Sequence, residues 1–143
     1  MAYPQAFNAY KNASVTTASS GQLVVMLYDE VVKQLTLAMS LFDENGKVPV
    51  TSVEKYNAHI IRAQDIITEL MVSLDMVNGG DIAKNLMNLY VYFNQELMEG
   101  NLKRDTQKLL FVKSMMSDLR GTWAEISSRS GSAVAPEGMV IDG

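Results

Sequence analysis

The chain lacks cysteine altogether, and it has only three prolines and one histidine in 143 residues. The absence of cysteine excludes disulfides, thiolate catalysis and cysteine-ligated metal. Basic residues are scarce relative to acidic ones, 12 against 16, so the charge gives no reason to expect binding to nucleic acid. No run approaches the roughly 18 unbroken apolar residues that a transmembrane helix needs, so we expect no direct membrane insertion. The remaining class of partner is another protein.

What the chain does contain is apolar side chains, which make up 48% of its residues. Together with 20% charged residues, this composition predicts a single globular domain with a real hydrophobic core. The N-terminus has no basic stretch followed by an apolar core, so the sequence predicts no secretory signal and a cytoplasmic location.

Apolar residues recur at alternating spacings of three and four along four long segments, which is the period of α-helices. Capping boxes predict helix starts at Ser19 and Thr51, and Asp105 is the expected N-cap of the last segment. The glycine-rich segment 78–80 separates the second helix from the third, which is expected to end near Gly100. Because the connections are short, consecutive helices should pack antiparallel. The predicted fold is an all-α, antiparallel four-helix bundle.

Each helix has a stripe of apolar residues that should face the core. The stripe of the first helix is Val24, Tyr28, Val31, Leu35, Ala38 and Phe42. That of the second is Val53, Tyr56, Ile60, Ala63, Ile67, Leu70, Leu74 and Val77, and that of the fourth is Leu109, Val112, Met116, Leu119, Trp123 and Ile126.

The two ends of the chain differ in kind from this bundle. We predict an N-terminal arm or cap at residues 1–18, a bundle domain at 19–128 and a flexible C-terminal tail at 129–143. The arm carries Phe7, Tyr10 and Val15, which are too apolar for a solvated tail. We therefore expect the arm to dock on another surface.

The third helix is apolar almost all the way round. The consecutive residues 90–93 (Tyr-Val-Tyr-Phe) cannot all point into one core, so at least one of Val91 and Tyr92 is expected to contact a partner or the arm. A groove between the second and third helices is the predicted binding surface for an amphipathic helix. Its predicted client-binding residues are Ile61, Gln64, Ile67, Met71, Ala83, Met87 and Tyr90.

Enzymatic alternatives have little support in the residues. A di-iron bundle needs Glu-x-x-His motifs on two helices, and His59 is the only histidine. The sequence implies no metal and no cofactor. The alternative left open is a histidine phosphotransfer bundle, in which His59 on the second helix would carry the phosphoryl group.

Several separate motifs occur in a characteristic order. They are Ala9-Tyr10 with Ser14-Val15, Thr17-Ala18-Ser19, the run from Leu23 to Asp29, the run from Ala63 to Leu70 with Ser73-Leu74-Asp75, Gly79-Gly80 through Tyr90, Leu119-Arg120 and Thr122-Trp123. Together they resemble the flagellar secretion chaperone FliS family over nearly the whole chain up to Ile126.

This resemblance implies a cytoplasmic export chaperone, not an enzyme. Such a protein binds the C-terminal segment of flagellin, prevents its premature polymerisation and helps deliver it to the flagellar type III export gate. The resemblance also implies that the arm positions Phe7 and Tyr10, with Val15 beside them, contact the cytoplasmic domain of an export-gate membrane protein. The sequence leaves both a monomer and a weak homodimer open.

Overall fold

The computed structural model describes the backbone of residues 20–134 and the side chains of residues 21–126. Every regular element in this part of the chain is helical. The four helices are α1 (Ser20–Met39), α2 (Val53–Ser73), α3 (Gly80–Lys103) and α4 (Thr106–Val134), with a 3-10 turn, Val50–Ser52, before α2. The predicted all-α fold of four helices is confirmed. Phe7, Tyr10, Val15 and the predicted cap Ser19 lie outside the described residues.

The helices form a ring in which each contacts its neighbours in the chain. The first helix packs closely against both α2 and α4, and α3 completes the ring by packing less closely against the same two helices. Where α3 meets α4, Lys108 contacts Glu96 and Phe111 contacts Tyr92. Contacts that move forward along one helix move backward along the other, so this pair is antiparallel.

The core follows the apolar stripes that the sequence predicts. On α1 the side chains of Val24, Tyr28, Val31, Leu35 and Ala38 are fully buried. The Tyr28 and Tyr90 hydroxyls share a hydrogen bond between α1 and α3 in the middle of this core. Phe42 differs from the prediction because α1 ends at Met39; it packs edge-on against Tyr56, with ring centroids 5.4 Å apart, and is only half-buried.

The second helix departs from the prediction at both ends. The predicted capping box at Thr51 is wrong: a 3-10 turn occupies this place, and Ser52, at the N-cap, makes no side-chain capping hydrogen bond. The helix ends at Ser73 instead of continuing to Val77, whose side chain is 88% exposed. Asp75 Oδ1 accepts the amide protons of Val77 and Asn78 at 3.2 and 3.0 Å. These bonds form a turn that competes with another helical turn.

The local sequence predicted the boundaries of the other helices more accurately than those of α2. Gly80, at the start of α3, has φ +65°, a conformation that glycine adopts without strain. The third helix continues past Gly100 to Lys103, and Asp105 then caps α4 as predicted, its Oδ1 accepting the Gln107 amide proton at 3.0 Å. The last helix, α4, continues to Val134, and residues 135–143 lie outside the described part. The expected division into an arm, a bundle ending at residue 128 and a tail stays a prediction.

Candidate functional site: an apolar groove between α3 and α4

A groove of about 280 Å³ runs between the N-terminal half of α3 and the C-terminal half of α4. We call it the α3–α4 groove. It is lined by Ile82, Asn85, Leu86 and Leu89 on α3 and by Leu119, Thr122, Trp123 and Ile126 on α4. Six of these eight side chains are apolar, so the groove is shaped to take apolar groups.

The floor and the rim of the groove differ in burial. Trp123, Ile126 and Leu86 form the floor and are buried, with 4%, 6% and 8% of their surface exposed. Ile82 and Leu119 are half-buried and leave apolar surface in contact with solvent. Leu89 has the same intermediate exposure, and burying these side chains against a partner is therefore favourable.

The groove closes toward the α3–α4 connection, where the two helices approach closely. A Cβ atom added to Gly100 would lie 2.9 Å from Cδ2 of Leu109, so a larger residue at this position would require the Leu109 side chain to shift. Lys108 Nζ lies 3.2 Å from a Glu99 carboxylate oxygen and 3.4 Å from a Glu96 oxygen. The hydrogen bond to Glu99, with further support from Glu96, raises the pKa of Lys108, and its charge is retained at neutral pH.

An aromatic contact stands between the closed end and the groove. Phe111 meets Tyr92 and Phe93 edge to face, with ring centroids 5.9 and 6.3 Å apart. Tyr92 remains 44% exposed and Val91 39% exposed, so both are accessible, as the sequence predicts. Their contact with a partner or with the arm remains a prediction.

The residues predicted to line a groove between α2 and α3 differ in burial. Three of the seven predicted residues, Ile67, Ala83 and Tyr90, are fully buried and belong to the core. A client docking on the surface cannot reach these three side chains in this conformation, and contact of the seven residues with a client stays a prediction. The other four are accessible to different degrees: Ile61 is 49% exposed, and Gln64, Met71 and Met87 are half-buried.

Hydrogen bonds cross the seam between α2 and α3 where the groove was expected. Gln64 Nε2 donates to the Asn94 carbonyl at 3.3 Å, and Asn94 Nδ2 donates to Thr68 Oγ1 at 3.2 Å. The Oδ1 atom of Asn94 is buried and has no hydrogen-bond partner among the described residues. This seam is thus bridged by polar contacts, unlike the apolar α3–α4 groove.

Sequence reasoning missed the α3–α4 groove although a signal was present. Ile82, Leu86 and Leu89 on α3 have the same i, i+4, i+7 spacing as Leu119, Trp123 and Ile126 on α4. The second set was assigned wholly to the core. Spacing shows that residues share a face of a helix, but it does not show whether two facing stripes meet.

The sequence of this chain is similar to a known protein family over most of its length. The model of the family described as "Flagellar protein FliS" matches residues 3–130. The chain belongs to the FliS family. It is 36% identical to the flagellar secretion chaperone FliS of Salmonella typhimurium over 119 residues, 82% of this chain and 84% of that protein. It is 30% identical to the FliS of Bacillus subtilis over 125 residues, 87% and 88% of the two chains.

The FliS family comprises chaperones and not enzymes, and this decides the assignment of His59. The ring of His59 is half-buried, and its Nδ1 lies 2.8 Å from Gln34 Oε1. Since an amide oxygen only accepts, Nδ1 carries the proton. Gln34 Nε2 in turn donates to Glu30 Oε2 at 2.8 Å. The histidine thus connects α2 to α1, and the phosphotransfer alternative is set aside.

None of the described helices is both long and apolar enough to cross a membrane. In the same part of the chain, no three His, Cys, Asp or Glu side chains are grouped so as to hold a metal ion.

Proposed function

We propose that the chain is a cytoplasmic export chaperone whose α3–α4 groove binds the C-terminal segment of flagellin. By covering that segment it prevents premature polymerisation, and it helps deliver flagellin to the flagellar type III export gate. The observation that carries this proposal is an open apolar groove in a chain of a secretion-chaperone family. Flagellin is the client that membership of the FliS family implies.

The geometry of the groove suits a helix with one apolar face. Helix-in-groove recognition uses anchors at i, i+3, i+4 and i+7, which match the spacing of the apolar residues on the groove walls. The half-buried Ile82, Leu89 and Leu119 offer apolar surface that a client covers, while the floor is already packed and needs no rearrangement. Binding to such a preformed groove loses little free energy to ordering the chaperone.

The predicted arm precedes α1, which packs against α4, one of the two helices that form the groove. Arg120 of α4 donates to Asp29 of α1 at 2.7 Å, so the middle of α1 lies at the level of the α4 residues that line the groove. We propose that residues 1–18 cover the groove in the free protein and that a client displaces them. Phe7, Tyr10 and Val15 then become available to the cytoplasmic domain of the export gate.

Charged substitutions test which surface binds the client. Leu119→Asp places a charge in the α3–α4 groove that a docked client would desolvate, and it should weaken binding by about 2 kcal/mol, roughly 30-fold in Kd. Leu102→Asp makes the same change at a side chain that is 75% exposed and outside the groove, so it should leave binding unchanged. Met87→Asp tests the surface between α2 and α3.

The measurement is isothermal titration with a flagellin C-terminal peptide at several temperatures, after circular dichroism has shown that each variant is folded. The wild-type chain should bind with a negative heat-capacity change, because apolar surface is buried. No binding to the wild-type chain would refute the chaperone proposal. Weaker binding by Met87→Asp with normal binding by Leu119→Asp would place the client between α2 and α3.

The arm is tested separately by the double substitution of Phe7 and Tyr10 by alanine. We expect an intact bundle, client affinity that is equal or slightly higher, and loss of binding to the cytoplasmic domain of the export gate. Hydrogen exchange of residues 5–12 should increase when the client binds. Equal protection with and without client would show that no cap is released.

A further inference from the structure

The apolar surface between α3 and α4 does not stop at the groove. On α3, Tyr92 follows the lining residue Leu89 by three positions. On α4, Met115 precedes the lining residue Leu119 by four positions, and Phe111 precedes Met115 by four more. Residues three or four positions apart lie on one face of a helix. On both helices, the stripe that lines the groove therefore continues toward the closed end.

This continuation leads to two aromatic side chains that remain exposed. Tyr92 is 44% exposed and Phe111 39% exposed, and their rings meet edge to face with centroids 5.9 Å apart. Phe111 also packs against the buried Phe93, at 6.3 Å. We call Tyr92 and Phe111 the aromatic pair. Because these contacts already position both rings, a partner that covers the pair loses little free energy to ordering them.

Charged side chains border the apolar stripe. Beyond the aromatic pair, Lys108 bridges Glu96 and Glu99, so the apolar surface ends at this cluster. Asp118, three residues after Met115, lies beside the stripe on α4 and is exposed. Its carboxylate can therefore stay in water when a helix docks.

The aromatic pair adds about one helical turn to the apolar surface of the groove. Along α3 the rise from Ile82 to Leu89 is about 10 Å, and the rise from Ile82 to Tyr92 is about 15 Å. A helix that lies along α3 spans the first distance with anchors at i and i+7. The same helix reaches the aromatic pair with a residue at i+10 or i+11.

We infer that the client helix carries an additional large apolar anchor, one turn beyond those that fill the α3–α4 groove, and that the aromatic pair binds it. This inference rests on the proposed function and adds the length and register of the client's apolar face. The client is the occupant because the pair is continuous with the groove that the client fills. Tyrosine is among the residues that most often dominate the affinity of an interface.

A pair of alanine variants tests the contact. Tyr92→Ala should weaken binding of the flagellin C-terminal peptide about fivefold or more, with unchanged helicity. The control is Leu110→Ala, which truncates a side chain that is 49% exposed and adjacent to Phe111 in sequence. Neighbouring residues on a helix point in different directions, so this variant should change the affinity less than about twofold. Wild-type affinity of Tyr92→Ala would refute the inference.

Disulfide trapping tests the register. Because the chain has no cysteine, Ile82→Cys and Tyr92→Cys each introduce a single thiol. Each variant is incubated in a glutathione redox buffer with client peptides that carry one cysteine at successive positions. The peptide position that Tyr92→Cys traps should lie about ten or eleven residues from the position that Ile82→Cys traps. The control Leu110→Cys should trap no position.

The outcomes separate this inference from the proposed function. If the wild-type chain does not bind the peptide, the proposed function fails. If Ile82→Cys traps the peptide and Tyr92→Cys does not, the client function stands and the additional anchor is wrong. Trapping at neither position, or at positions with another separation, also refutes the inference. So does a disulfide-linked dimer that Tyr92→Cys forms without peptide faster than Leu110→Cys, because a second copy would then cover the aromatic pair.

Discussion

The two ends of the contact between α3 and α4 are built differently, although the same two helices form both. At the closed end, Gly100 lets Leu109 pack directly against the α3 backbone, and Lys108 bridges Glu96 and Glu99. At the open end no lining residue is smaller than threonine, and a groove of about 280 Å³ remains. The size of the side chains between the helices thus decides where the bundle is sealed and where it can take a partner.

The largest expected effect comes from filling the closed end. In Gly100→Ala the new methyl group meets Leu109 Cδ2 at 2.9 Å, whereas in Gly121→Ala it meets no atom within 4 Å. Both substitutions gain about 0.5–1 kcal/mol of helix propensity, but overpacking costs Gly100→Ala about 1–3 kcal/mol. We expect the two variants to differ by about 2 kcal/mol in urea unfolding. Equal stabilities would show that the closed end is not tightly packed.

A smaller effect is expected from removing the hydroxyl of Tyr56, a residue of α2 that contacts the closed end. The Tyr56 hydroxyl donates to the Gly100 carbonyl at 3.2 Å, and its ring lies 5.0 Å from the Arg104 guanidinium carbon. Tyr56→Phe removes this buried hydrogen bond and should destabilise the fold by about 1 kcal/mol at pH 8. Tyr56 does not line the α3–α4 groove, so Tyr56→Phe should leave client affinity unchanged.

The stability difference between Tyr56→Phe and the wild-type chain should also depend on pH. Burial raises the pKa of Tyr56 above 10.0, and the nearby Arg104 charge only partly opposes this. The folded state therefore holds the phenol proton more tightly than the unfolded state. This contribution to stability is complete below pH 10 and is lost as the pH rises through the folded pKa. In urea unfolding at pH 8, 10 and 11, the free energies of unfolding of the two proteins should converge as the pH rises. A constant difference would refute a contribution of the Tyr56 proton to stability.

The smallest effect is expected from enlarging a side chain at the open end. Asn85→Leu adds apolar volume at an exposed lining position where the groove has space. Its free energy of unfolding should stay within about 0.5 kcal/mol of the wild-type value, in contrast to Gly100→Ala. Thermal unfolding measures this directly. A loss as large as that of Gly100→Ala would mean that the groove closes in solution.

Features that depend on local sequence were predicted well. The four helices, the buried stripe from Val24 to Ala38 and the capping of α4 by Asp105 all follow from spacing and from residue chemistry within a few positions. The error at the C-terminal end of α2 arose where a side chain competed with the helix. Asp75 accepts hydrogen bonds from two backbone amides and forms a turn. The apolar pattern, which continues to Val77, does not reveal this turn.

The candidate site depends on relations between helices, which the pattern does not contain. Tyr90 and Ile67 were expected at a client surface, but Tyr90 reaches across the core to the Tyr28 hydroxyl and Ile67 is fully buried. Conversely, Leu119 was expected in the core, and it borders the open groove.

The sequence by itself determined that this chain forms four amphipathic helices and which side chains share a face on each of them. Helical periodicity sets the direction of a side chain around its own axis, so this information is local. Only the tertiary structure decided which apolar face stays uncovered. That depends on how closely two helices approach. The contact of Gly100 with Leu109 brings α3 and α4 together at one end, and a groove lined by Trp123 and its neighbours remains at the other.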